Sequence, residues 1–560
     1  MMDAALPDTL TRLREDLKAV RLSLELDGAS DARRARDDTV AQIDDYLLPR
    51  LRQMDAPLLM VVGGSTGAGK STILNSLVGT EVSPAGALRP TTRAPVLACH
   101  PDDVRWFEDQ RILPKLARTT GASGGAEGTL RLVPTTALQP GLALLDSPDI
   151  DSVLSENRAL ANQLLAAADA WLFVTTAARY ADAVPWEFLR SARERGTSLS
   201  IVLNRVPEDA REVAAHLREM LREQDLGESE LLVVPETELV DELLPARALA
   251  PVRGWLDALA ADAAARSDLI RRTLKGALAS LPARAGGVAT AAAEQLAAAS
   301  ELRSEIDAAY AGAQREVEDA MRSGSLLRGE VLARWHEVIG TGDVMRALES
   351  KVGWLRDRVK SVLTGKPAAD EELRVAVENR IEAVIRAAAE RASERAARAW
   401  REHASGRALL SDSTTFDRAS RELEALTEDE VRAWQGFVFE LVSREGESKR
   451  TTARLASLGV NGAGLTVMLA VFAHTGGLTG AEVVVAGGTS AISQKVLEAI
   501  FGDQAVRTLA ARAREDLLER AEQLLRADAV RFDELLDATA PDAESVARLH
   551  GSLDAVRRAA

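Results

Sequence analysis

Cysteine is nearly absent: Cys99 is the single one among 560 residues, so no internal disulfide can form and a disulfide-stapled scaffold is excluded. Positive charge is also scarce. Asp and Glu total 85 against 69 Lys and Arg, a net charge of −16, which excludes a nucleic-acid footprint spread over the whole surface. An anionic partner must meet a local basic patch, and no nucleic-acid partner is expected. The opening residues MMDAALPDTLTRL lack a basic region followed by an apolar core, so no secretory leader is indicated and a cytoplasmic protein is expected. After residue 252 the chain shows no fixed repeat and no strict heptad, which argues against a coiled coil there.

Length and apolar material are plentiful. With 560 residues and 46% hydrophobic content the chain exceeds one domain and can bury several cores. From Pro7 to Arg52 it is charged and helix-periodic. From Pro57 to about Pro251 short β-rich apolar runs alternate with helical segments, an α/β pattern. The strand candidates are LLMVV at 58, APVLA at 94, TLRLV at 129, GLALLD at 141, AWLFVTT at 170, SLSIVL at 198 and ELLVV at 230. Several are apolar throughout, as a sheet covered on both faces requires. Beyond residue 252 strand signals nearly vanish. Segments such as EELRVAVENRIEAVIRAAAERASERAARAWREH predict long helices in a packed bundle or stalk.

The chemistry concentrates in GGSTGAGKST, residues 63–72, between a strand candidate and a helix-like stretch. Gly64, Ser65, Thr66, Gly67, Ala68, Gly69, Lys70, Ser71 and Thr72 carry the phosphate-loop spacing, whose context makes it specific. Glycines let successive N–H groups turn toward phosphate, Lys70 reaches β and γ oxygens, and Ser71 offers a Mg²⁺ ligand. A glycine-rich turn without a ligand has no use for the Lys-Ser pair. Downstream, RPTTRAP at 89–95 sets two threonines in a loop, and GLALLDSPD at 141–149 ends a strand with Asp146, which can hold Mg²⁺ through water. ASGGAEG at 122–128 loosely resembles the signature of transporter ATPases. That signature should open a helix, yet Pro134 and Pro140 interrupt the next stretch of chain, and Ser147 stands where an acid should, so a loop is expected.

In this order the motifs resemble those of the dynamin superfamily, in particular bacterial dynamin-like GTPases. VVGGSTGAGKST looks like the first motif, TRAP at 92–95 the second, DSPD at 146–149 the third and LNRV at 203–206 the fourth. The motifs cover roughly residues 57–240. The resemblance implies Thr92 as a switch threonine and Mg²⁺ ligand beside Ser71 and Asp146, with Lys70, Thr66 and Thr92 at the catalytic centre. It implies that Asp149, Asn204 and Arg205 contact the nucleotide. Three departures qualify it. Asp149 replaces a glycine whose amide meets the γ-phosphate, so its carboxylate is expected to turn away. Thr66 replaces a glutamine, so slow hydrolysis in isolation is expected. Pro207 stands where an aspartate reads guanine, with Glu208 or Asp209 as substitute acceptors.

The expected fold class is an α/β P-loop GTPase domain, a mostly parallel sheet with helices on both faces, joined to a long all-α neck and stalk. The implied layout is an N-terminal neck helix over 1–52, the GTPase domain over 53–252 and a stalk over 253–454. An apolar tip over 455–502 and a helix over 503–560 returning to the neck complete it. Residues 455–494 carry no charge but Glu482. They suit a buried helix pair, a membrane span or a hairpin entering the headgroup layer. VMRALESKVGWLRDRVKSVLTGK at 344–366 is locally basic and reads as a lipid contact or a solvated stalk face. The expected function is hydrolysis of GTP to GDP with Mg²⁺, driving homo-oligomerisation or pairing with a related GTPase at anionic lipid on the inner face of the membrane. The alternative is a nucleotide-gated scaffold or signalling switch with little hydrolysis and no lipid contact.

Overall fold

The computed structural model describes residues 5–84, 94–109, 112–113, 116–120, 128–151, 155–210, 212–323, 367–411, 415–446 and 503–559. Thr92, most of the 122–128 loop, the basic stretch 344–366 and the apolar stretch 455–494 lie outside them. The chain divides into two compact units, Met1–Leu22 with Gly28–Glu294 and Pro541–Ala560, and Ser23–Asp27 with Gln295–Ala540.

The first unit is built on an eight-stranded sheet. Its strands are β1 (Leu58–Gly64), β2 (Val96–Cys99), β3 (Ala117–Thr119), β4 (Thr129–Pro134), β5 (Leu142–Asp146), β6 (Ala170–Thr176), β7 (Ser198–Val206) and β8 (Glu230–Pro235), in the order β3-β4-β2-β5-β1-β6-β7-β8. Every neighbouring pair is parallel except β2 with β5. Side chains alternate across a strand, and both faces of β1 are covered. Leu59 and Val61 join one core with Leu145, Trp171 and Phe173, whereas Met60 and Val62 join another with Leu74, Leu144 and Leu172. The candidates at 58, 94, 129, 141, 170, 198 and 230 are all strands. TLRLVP, β4, is a strand where a transporter signature would open a helix.

Helices α1 (Leu6–Ala19), α2 (Ala29–Gln42) and α3 (Leu48–Arg52) precede the sheet, with a π turn at Ile43–Leu47 between the last two. The stretch read as one neck helix is therefore interrupted. Val20, Leu22 and Leu24 are buried while Arg21, Ser23 and Glu25 are exposed, an extended period of two that no helix satisfies, and Gly28 turns the chain at φ 79°. Within the domain come α4 (Lys70–Val78), α5 (Ser155–Ala166), α6 (Ala183–Arg195), α7 (Glu212–Glu223) and α8 (Ala246–Ala261); α9 (Ala263–Arg322) comes next and has residues in both units.

A buried ion pair fastens α3 to the sheet. Arg50 of α3 meets Asp169 and donates to the carbonyls of Ala56 at 3.0 Å and Pro57 at 3.2 Å, while the same Asp169 oxygen accepts from Leu59 N at 2.8 Å. Burial drives the Asp169 carboxyl above its ordinary range, against the pull of Arg50.

The second unit is helical. It comprises the later part of α9, α10 (Pro367–Glu402), α11 (Ala404–Leu409), α12 (Glu422–Gly446) and α13 (Asp503–Thr539); α14 (Ala543–Ala559) belongs to the first unit, where its Val546, Leu549 and Leu553 are buried and it packs against α1. Trp400, Trp434 and Phe532 are fully buried in the helical core. Both indoles satisfy their N–H on backbone, Trp400 on Leu302 O at 3.0 Å and Trp434 on Ala513 O at 2.7 Å.

Candidate functional site

Parallel register brings the C-terminal ends of β1, β5, β6 and β7 to one edge of the sheet. Val62 pairs with Asp146, Gly64 with Val174 and Thr176 with Asn204. Loops leaving that edge carry the candidate residues, as in open parallel sheets generally. Two glycines are required there. At Gly64, φ 146°, a Cβ would stand 2.1 Å from the Val174 carbonyl oxygen, and at Gly69, φ 94°, one would stand 2.5 Å from Asn204 Nδ2.

The Lys70 side chain folds back over the loop. Its Nζ donates to Gly64 O at 3.0 Å, Ser65 O at 3.1 Å and Asp149 Oδ1 at 2.5 Å, and the residue is only 5% exposed. A buried ammonium is costly unless paired, and here every donor has an acceptor. The Asp149 carboxylate does not turn away as expected from the motif. It closes on Lys70, because the ammonium lacks a third acceptor among the loop carbonyls.

Below the loop, Asp146 is fully buried. Its Oδ2 accepts from Ser71 Oγ at 2.7 Å and Ser83 Oγ at 2.5 Å, while Oδ1 has no hydrogen-bond partner among the described residues. Burial pushes the Asp146 carboxyl up, against the two hydroxyls and Lys70. An orphaned carboxylate oxygen beside two hydroxyls is a fitting donor set for a hard cation. Among the described residues no three His, Cys, Asp or Glu side chains are set to hold a metal ion by themselves. A phosphate-loop Mg²⁺ needs none, since water and phosphate oxygens fill most of its shell. Ser83 was not singled out by sequence reasoning. Asn75 of α4 fixes it, with Nδ2 donating to Ser83 O at 2.7 Å and Oδ1 accepting from Ser83 N at 2.8 Å.

Two further residues escaped the motifs. Asp151, two places beyond Asp149, accepts on Oδ1 from Thr66 N at 2.6 Å and Thr66 Oγ1 at 2.5 Å. Arg179, in the turn after β6, donates from Nη1 to Thr66 O at 2.9 Å, from Nη2 to Asp151 Oδ2 at 3.0 Å and from Nε to Asp182 Oδ2 at 2.8 Å. Burial pushes the Asp151 carboxyl up, but the bonds from Thr66 and Arg179 outweigh it and hold the group below its ordinary range. The only sequence signal for either was position on a strand-end loop.

Asn204 is buried and serves the loop itself. Its Nδ2 donates to Ala68 O at 2.8 Å and its Oδ1 accepts from Arg205 N at 2.9 Å. Arg205 sits at φ 53° in the irregularity between Leu203 and Val206, with its side chain exposed, as are Glu208 and Asp209. The structure thus gathers Thr66, Lys70, Ser71, Asp146, Asp149 and Asn204 around the loop, and directs Arg205 to solvent.

No protein-family model matches the chain. Among curated proteins it is 25% identical over 169 residues, 30% of its length, to the probable transmembrane GTPase FZO-like, chloroplastic, of Arabidopsis thaliana; it spans 17% of that protein's length. Among solved structures it is similar to an oligomerised bacterial dynamin pair described as sensing and tethering membranes (10% identity, 100% of this chain and 96% of that one, TM-score 0.41). The bacterial dynamin GTPase LeoA from ETEC aligns at 12% identity over 95% of this chain and 97% of its own, TM-score 0.23. Era bound to MgGDPNP and ribosomal RNA aligns over 35% of this chain and 64% of its own at 20% identity, TM-score 0.22. Of these, the FZO-like protein and LeoA are named as GTPases, and the pair and LeoA as bacterial dynamins.

Proposed function

We propose that the chain is a dynamin-like GTPase that hydrolyses GTP to GDP and couples the nucleotide to self-assembly, or to pairing with a related GTPase, at the inner face of a membrane. The observation that carries this reading is the Lys70 ammonium folded onto Gly64 O and Ser65 O above the Ser71–Asp146 pair. A plain turn has no use for a buried cation over a buried carboxylate. In this reading the first amides of α4 hold the β-phosphate, and Lys70 bridges β and γ oxygens and steadies the charge that develops as the bond between them breaks. Ser71, Thr92 and, through water, Asp146 would hold Mg²⁺, which would supply neutralising charge to the phosphates. Asn204 props the loop wall, and the Arg205 stem lies against the base. Thr66 has no amide side chain to align water, so turnover is slow until assembly.

The second reading is a nucleotide-gated scaffold with little hydrolysis and no lipid contact. The Asp149 carboxylate on Lys70 favours it, since that contact opposes a γ-phosphate. Calorimetry with GTP, GDP and ATP in the presence of Mg²⁺ tests the core of the proposal. Tighter binding of guanine than adenine nucleotides supports it. Equal affinities would make the chain a nucleotide switch without base selectivity, and no binding at all would sink the site.

A further inference from the structure

The donors that a terminal phosphate would use already carry carboxylates. Asp149 takes the outward donor of Lys70, and Asp151 takes both the N–H and the hydroxyl of Thr66. Arg179 locks the second contact by bridging Thr66 O and Asp151 Oδ2, and is itself braced by Asp182. Neither carboxylate touches the first-turn amides of α4, on which a β-phosphate rests. Two carboxylates and a terminal phosphate cannot share these donors, because like charges a few ångströms apart in a partly buried site repel strongly.

We propose that Asp149 and Asp151, held by Arg179 as a positioning residue, form an acid latch that selects between nucleoside diphosphate and triphosphate at this loop. The inference rests on reading the loop as a nucleotide site. A diphosphate binds beneath the closed latch. A triphosphate has to displace both carboxylates, so its apparent affinity is lowered by the fraction of molecules with the latch closed. The displaced Asp149 and Asp151 lie on the DSPDID loop, so latch opening moves the segment after β5. The terminal phosphate is thereby made to do work on the fold before it is cut.

The test is calorimetry of the full chain with Mg²⁺ and either GTP or GDP, for wild type, Asp149→Asn, Asp151→Asn, Arg179→Gln and Arg179→Lys. Melting curves of each variant check folding, and the Asn substitutions keep the shape of the side chains. The latch predicts that Asp151→Asn tightens GTP about tenfold while GDP changes less than about twofold. Asp149→Asn acts in the same direction. Arg179→Gln reproduces the Asp151→Asn effect and adds nothing to it in the double variant, because both break one contact; Arg179→Lys restores most of the wild-type ratio. An unchanged GTP-to-GDP ratio in folded Asp149→Asn and Asp151→Asn overturns the latch and leaves the nucleotide site standing, as does weaker GTP binding in both. Folded proteins that bind no nucleotide, wild type included, overturn the site and the latch together.

Discussion

Lys70 is charged and buried at once, a combination that three acceptors make tolerable. Its removal leaves Asp149 free to swing into water, since that carboxylate is 30% exposed. Lys70→Ala is therefore expected to keep the fold, with a small change in melting temperature, and to weaken triphosphate binding about 100-fold, the worth of one or two charge-assisted hydrogen bonds. Full GTP affinity in a folded variant would refute the site. Asp146 presents the opposite balance. Its folded-state carboxyl is raised by burial, so the native chain holds that proton more tightly than the unfolded one. The contribution of this group to stability consequently falls as pH rises from about 3.9 through the raised value. Asp146→Asn should melt like wild type near pH 4 and above it near pH 7.5, the gap widening with pH, when measured without nucleotide or Mg²⁺. Mg²⁺-dependent nucleotide affinity should fall about tenfold or more, since an amide holds a metal-bound water less strongly than a carboxylate. A variant that melts lower at neutral pH would show that the Ser71 and Ser83 hydroxyls need the charge.

Helices of the second unit meet at a polar knot inside an apolar core. Asp528 of α13 accepts from Tyr310 Oη at 2.6 Å and Ser393 Oγ at 3.1 Å on one oxygen and from Ser420 N at 2.7 Å on the other, with the Arg531 guanidinium 3.6 Å away. One carboxylate thus fixes the register of α9, α10, α13 and the lead into α12. Asp528→Ala removes the buried acceptor that three donors share, while Arg531 keeps Thr415 O and Arg418 O, and should cost about 3–5 kcal/mol, whereas Tyr310→Phe, which deletes one donor, should cost about 1–2 kcal/mol. Denaturant unfolding of the full chain, read by tryptophan fluorescence, distinguishes the two; equal small losses would mean that water replaces the knot.

Elements of this kind were unequally legible from the chain. Apolar runs exposed the strands because a doubly covered sheet leaves no polar face, and the loop at 63–72 stood out by its Gly-Lys-Ser spacing between strand and helix. β3 was missed: three residues, Ala117–Thr119, at an edge of the sheet bury too little to leave a pattern. The antiparallel placement of β2 was equally hidden, since strand direction is decided by connections rather than by composition. At the site, the motifs named Lys70, Ser71 and Asp146, which the fold sets beside the loop. They did not name Ser83, Asp151 and Arg179, because those residues reach the loop from segments that fold back in space.

At the scale of the whole molecule the charge balance constrains any membrane role. A net charge of −16 repels anionic lipid, so docking needs a local apolar or basic element. Among the described residues no helix is long and apolar enough to cross a bilayer. Outside the described residues the sequence offers the basic stretch 344–366 and the apolar stretch 455–494, which is charge-free but for Glu482. If it enters the headgroup layer, Leu469→Asp with Val484→Asp drags two carboxylates out of water, at about 2.5–3.5 kcal/mol each at the bilayer centre and less nearer the interface. If it is core instead, the same carboxylates are buried unpaired, which is also costly. Liposome loss alone does not separate these cases, but melting does. The expected outcome is flotation of wild type with liposomes, lost in the double variant, with nearly unchanged melting temperature and nucleotide affinity. A large fall in melting temperature would make the segment core. A wild type that never floats, with or without GTP, would leave the nucleotide switch acting on protein partners alone.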